Sequence, residues 1–196
     1  MLAEWSVELG ADDPNLELPW SSPDGASRFL DLKRQPELLL EVPEACFYPE
    51  LAEFLGWASS PDSPIETAKC DAWTSRQMTT EDEVFGERCK FGSYVDFLFT
   101  ATDRRAQFAD HERFVQDLCR LLRHAPEMAS AAEFLVRHCV DRQKHAATNS
   151  DCYYITFYLH GYGEDEQQAR QRWGIALKMV QHAIIQQCST RTLFDR

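Results

Sequence analysis

Apolar positions in this chain recur with two different periods, and the changes of period divide it into elements. Trp5, Val7 and Leu9 alternate with Glu4, Ser6 and Glu8, the two-residue repeat of a strand with one covered face. Asp12-Asp13-Pro14-Asn15 is turn chemistry, and Pro19, Pro23, Asp24 and Gly25 mark a loop before Arg28 to Leu32 alternates again and predicts a second strand. Pro43 and Pro49 stand where proline opens a helix, because its missing N–H is an orphan there anyway. Leu51, Phe54, Leu55 and Ala58 follow at helical spacing, so one or two short helices are expected over 37–58. Ser59 to Pro64 is the strongest linker signal in the chain.

Beyond that loop the pattern repeats. Strands are predicted over 69–76 and 90–100 around an acidic turn region, Glu81 to Glu87. A helix over 110–125 follows, with Phe114, Val115, Leu118, Leu121 and Leu122 on one stripe, Asp110 as its N-cap and Pro126 as its stop. Further strands are predicted over 133–141 and 153–160, joined by a polar connection from His145 to Asp151. After Gly161 and Gly163, Glu164-Asp165-Glu166 opens a long helix striped by Ala169, Trp173, Ala176, Leu177, Val180 and Ile184. Tyr94 to Phe99 superposes on Tyr154 to Leu159 at an offset of 60 residues. The expectation is one α+β domain over 1–196: a mainly antiparallel sheet of strand-strand-helix units (68–126, 132–189 and a looser 1–58), with helices packed on one face.

Strand parity then sorts side chains. Ile155, Phe157, Leu159, Phe97, Phe99, Phe134 and Val136 share one side. Tyr94, Asp96, Arg137, Tyr154, Thr156, Tyr158 and His160 fall on the other, and these seven are the candidate binding residues. Tyrosine and arginine offer large contact area together with hydrogen bonds.

The formal charge of −12 changes the picture through its distribution. Residues 1–87 hold 19 Asp and Glu against 5 Lys and Arg, while 88–196 hold 13 against 15. An acidic half repels nucleic-acid phosphate and anionic lipid and steers a basic protein toward it. No run approaches the roughly 18 apolar residues of a membrane span. Met1 to Gly10 lacks a signal peptide's basic and apolar regions, so a cytoplasmic protein is expected. The 7 cysteines are scattered without a C-x-x-C pair and read as reduced, small apolar side chains.

Little catalytic chemistry is legible. His138 with Cys139, and Cys119 with His124, lack metal-ligand spacing, so no metal site is expected. Cys139 and His160 on neighbouring strands suggest a nucleophile and base only if the register brings them together. Gly161-Tyr162-Gly163 lies between strand and helix like a phosphate loop, but the three acids after it repel phosphate, and a tight turn is expected instead. From residue 44 the order of elements, together with the acidity, resembles that of small acidic chaperones of secretion systems. The expectation is therefore a non-catalytic protein-binding protein of inhibitor, immunity, adaptor or chaperone type, without cofactor. It would engage a basic partner through the acidic half or the tyrosine-rich face. The alternative is a small enzyme or ligand-binding domain whose pocket opens on that face beside Arg137, Tyr158 and His160.

Overall fold

A computed structural model describes residues 1–80, 82–142 and 150–191. Six strands, β1 (Leu2–Glu8), β2 (Leu16–Leu18), β3 (Ile65–Ser75), β4 (Cys89–Phe99), β5 (Ser130–Asp141) and β6 (Ser150–Gly163), form one sheet. Its order is β1-β5-β6-β4-β3, with β2 also paired to β5. The β3-β4, β4-β6 and β6-β5 pairs are antiparallel. β1 and β2 run parallel to β5, so the sheet is mixed. The helices are α1 (Pro43–Phe47), α2 (Pro49–Ala58), α3 (Thr102–Arg105), α4 (Phe108–Arg123) and α5 (Glu166–Arg191). Short 3-10 turns cover Pro36–Glu41 and Asp82–Phe85.

Pro43 and Pro49 do open α1 and α2. Helix α4 begins after Gln107, which leaves Asp110 in its first turn, where a carboxylate meets the positive end of the dipole, rather than at its cap. The connection expected from His145 to Asp151 lies largely outside the described residues.

The strand expected over Arg28 to Leu32 is absent; a single bridge, Ser21 to Arg28, is all the pairing there. Its alternation has another cause. Phe29 packs into a small cluster with Leu98 and Tyr154, whereas Leu30 and Leu32 join the main core. Alternate side chains are thus buried in different places without a ladder.

The main core unites Phe91, Val95, Phe97, Phe134 and Phe157 from the strands with Phe54 of α2, Phe114 of α4 and Trp173 of α5. We call the sheet surface bearing those phenylalanines the core face, and its opposite the outer face. The two glycines before α5 make no turn. Both lie within β6, and positive φ is found at Gly25 and Gly86 instead. A Cβ on Gly161 would stand 2.3 Å from Trp173 N and 2.4 Å from Ala169 O, and one on Gly163 would stand 2.5 Å from Ala169 N. They are glycine because the α5 backbone lies directly against the strand.

Candidate functional site

Register brings the seven candidate residues onto adjoining strands. Tyr94 lies opposite Tyr158, Asp96 opposite Thr156, and Gly92 opposite His160. Arg137 lies opposite Tyr154 on one side and Glu8 on the other. The middle of this face is tied by a polar chain that crosses four strands. Arg137 Nε and Nη2 each donate to Glu8 Oε2 at 2.7 Å, and Arg137 Nη1 donates to Thr156 Oγ1 at 2.9 Å. Thr156 Oγ1 in turn donates to Asp96 Oδ1 at 2.5 Å.

Asp96, Tyr154 and Thr156 are 5%, 3% and 1% exposed, which removes them from what a partner can touch. Burial pushes the Asp96 carboxyl up to about 6, against the Thr156 hydrogen bond and the charges of Lys69 and Arg137. Burial likewise pushes the Tyr154 phenol up to about 12, raises that of Tyr94, and lowers the His160 imidazole with help from Lys90.

Both ends of the outer face are covered. At one end Leu16, Leu18, Trp20 and Phe29 pack over Ala68, Leu98, Cys139, Cys152 and Tyr154. At the other, the 3-10 turn comes down on Tyr162: Phe85 stacks on its ring at 4.1 Å, and its hydroxyl donates to Asp82 Oδ1 at 2.8 Å. Lys90 Nζ reaches Asp82 Oδ2 at 2.6 Å.

Between these covers lies a half-buried aromatic window. Tyr94 and Tyr158 have ring centroids 5.8 Å apart, and Trp73 meets His160 edge-on at 6.1 Å. Gly92 makes room for the second pair, since a Cβ there would stand 2.9 Å from both side chains. The ladder through the tyrosines continues outward to exposed carboxylates, Asp71 on β3 and Glu133 and Glu4 on β5 and β1.

The Cys139 and His160 pairing fails on register. Cys139 sits opposite Cys152, eight residues along β6 from His160, a separation of roughly 26 Å at strand rise. Its thiol is pushed up by a hydrogen bond with Cys152 and by burial. Cys119 is buried in the main core, which pushes its thiol up to about 11. Among the described residues no group of three or more His, Cys, Asp or Glu is arranged to hold a metal. A cavity of about 280 Å³ lies not on this face but against the free edge of β3, and Arg137, Tyr158 and His160 do not line it.

Two features escaped sequence reading. Trp73 joins the window because of a β-bulge between Thr67 and Lys69, which resets parity along β3 and has no local signal in composition. Leu40 and Phe47, 82% and 73% exposed, stand out of the acidic segment around α1. Comparison with protein-family models, curated proteins and solved structures gives no match.

Proposed function

We propose that this chain is a non-catalytic binding protein, of inhibitor, immunity, adaptor or chaperone type, that receives a basic segment of a partner protein over the aromatic window. The carrying observation is the pairing of half-buried Trp73, Tyr94, Tyr158 and His160 with a hydrogen-bonded polar chain beside them on the same face. A surface of this kind presents ring faces and edge carboxylates, which suits arginine or lysine side chains. The charge of residues 1–87 adds long-range attraction for the same partner.

The reading treats 68–126 and 132–189 as two copies of a strand-strand-helix unit, with the helices covering the core face. It is supported by the chain order β3-β4-α4 and β5-β6-α5 and by the core those helices share with the strands. Exposed Leu40 and Phe47 favour a second reading, in which the acidic segment around α1 is the contact. The double variant Tyr94→Ala/Tyr158→Ala separates the two. Partner binding should weaken by about tenfold or more with the fold unchanged, and rising salt should weaken the wild type as well. Binding that survives this variant but is lost in Leu40→Ala/Phe47→Ala would move the interface to α1.

A further inference from the structure

Strand β3 forms one edge of the sheet, and side chains cap its free side at Ile65, where Lys33 Nζ donates to the carbonyl at 3.0 Å, and at two points further along. Trp20 Nε1 donates to Ala68 O at 2.8 Å, as a neighbouring strand would. Ala72 N donates to its neighbour Asp71 Oδ1 at 2.7 Å. Backbone groups alternate between the two sides of a strand, and Thr100 N bonds Pro64 O at 2.9 Å on the β4 side. Past the bulge, Cys70 therefore turns its N–H and C=O to the free edge, between the two capped positions.

Cys70 also lines the cavity of about 280 Å³. Leu30, Leu32, Val42 and Leu55 give it apolar walls, and Lys69 and Trp20 close one side. The Lys69 ammonium sits 4.8 Å from the Trp20 ring centroid. Among the described residues it has no carboxylate within ion-pair distance, its cross-strand neighbour Asp96 acting at longer range. The other cation of the wall, Arg28, is exposed and lies 3.6 Å from Glu41. Glu44, at the start of α1, lines the cavity as well, and its charge reaches the Cys70 thiol. The cavity thus joins the edge residue Cys70 and the Lys69 ammonium to an apolar wall, with Arg28, Glu41 and Glu44 also in its lining.

We propose that this cavity binds the terminal residue of an acylated apolar amino acid, either free or at the carboxyl end of a peptide. The amide N–H of that residue donates to Cys70 O. One carboxylate oxygen accepts from Cys70 N–H, the other meets Lys69 Nζ, and the side chain fills the apolar end. The volume is near the small end of ligand sites and suits one such residue. The site is separate from the aromatic window, and either stands if the other fails.

The test is a titration of the ¹⁵N-labelled full chain with N-acetyl-L-leucine, with N-acetyl-L-leucinamide and with an acetylated tripeptide ending in leucine. The acid should shift the Cys70 amide and Trp20 Nε1 signals, and the leucinamide should bind at least about tenfold more weakly. Lys69→Met should erase that preference. The tighter of acid and tripeptide identifies the source of the ligand. In the free protein the Cys70 amide should exchange with solvent faster than those of Lys69 and Asp71, and slow on binding. Silence at both signals up to about 10 mM of acid and tripeptide, or equal binding of acid and leucinamide, overturns the proposal. So does slow exchange of the Cys70 amide before any ligand is added.

Discussion

The two faces of the sheet are made by the same strands and bury neighbouring residues by different means. Phe97, Phe134 and Phe157 are 0% exposed among phenylalanine, leucine and tryptophan side chains. One position before the first and last of them, Asp96 and Thr156 are nearly as deeply buried, but through a chain of hydrogen bonds ending on Arg137 and Glu8. Apolar packing tolerates no gap and offers nothing for a partner to recognise. A polar chain flanked by half-buried rings is bonded within itself, and the rings still present contact area. Burial on the outer face therefore holds in place the surface beside it.

Adjacent residues give the sharpest contrast. Phe157→Ala should cost about 3–5 kcal/mol in urea unfolding, as large core truncations do, and Tyr158→Ala no more than about 1 kcal/mol. Equal losses would erase the distinction between the faces. The glycines provide the next contrast. Gly161→Ala drives a methyl into the α5 backbone, which cannot rotate away, for a loss of about 1–3 kcal/mol or more. Gly92→Ala meets only the side chains of Trp73 and His160, which can turn aside, so its cost should be smaller and its main effect should fall on the window.

Thr156→Val comes next. It leaves Asp96 without its Thr156 donor and Arg137 Nη1 without its Thr156 acceptor, for about 1–3 kcal/mol by the same unfolding measurement.

The smallest effect is a pH dependence in which a buried carboxyl and two buried imidazoles act with opposite sign. Asp96, raised from 3.8 to about 6, holds a proton in the folded state that the unfolded chain has released, so its contribution is lost as pH rises through 6. His111, packed against Phe99 and Tyr153 and lowered by burial from 6.5 to about 4, stays neutral where the unfolded chain is charged, so stability falls as pH drops from 6.5 toward 4. His160 is lowered too and acts in the same direction as His111. Between pH 4 and 6 the carboxyl and the imidazoles oppose one another. Asp96→Asn should expose the histidine slope, giving a steeper loss of stability on acidification than the wild type, on the order of 1–3 kcal/mol across the window. An unchanged slope would place Asp96 in a wetter setting than its burial implies.

Much of this arrangement was legible because strand parity is a local property. Alternation over 91–99 and 153–160 separates Phe97 and Phe157 from Asp96 and Thr156, and the stripe of α5 reads directly from Ala169 to Ile184. What stayed hidden depends on distant pairing. Nothing near Trp5 announces that β1 runs parallel to β5, because the partner lies more than a hundred residues away. Gly161 and Gly163 looked like turn residues because the helix that excludes their side chains returns across them from outside the local window. The cavity at β3 draws on Trp20, Leu32, Leu55 and Cys70, four separate segments with no shared motif.

Landing of a partner on the aromatic window, as proposed, can be read by site-specific photocrosslinking. Benzoylphenylalanine is placed in turn at Tyr158, at Phe47 and at Ile175, the last an exposed apolar residue of α5. A partner adduct is expected from position 158, fading as salt rises, and none from 175. Adducts from 47 or 175 with none from 158 would contradict it.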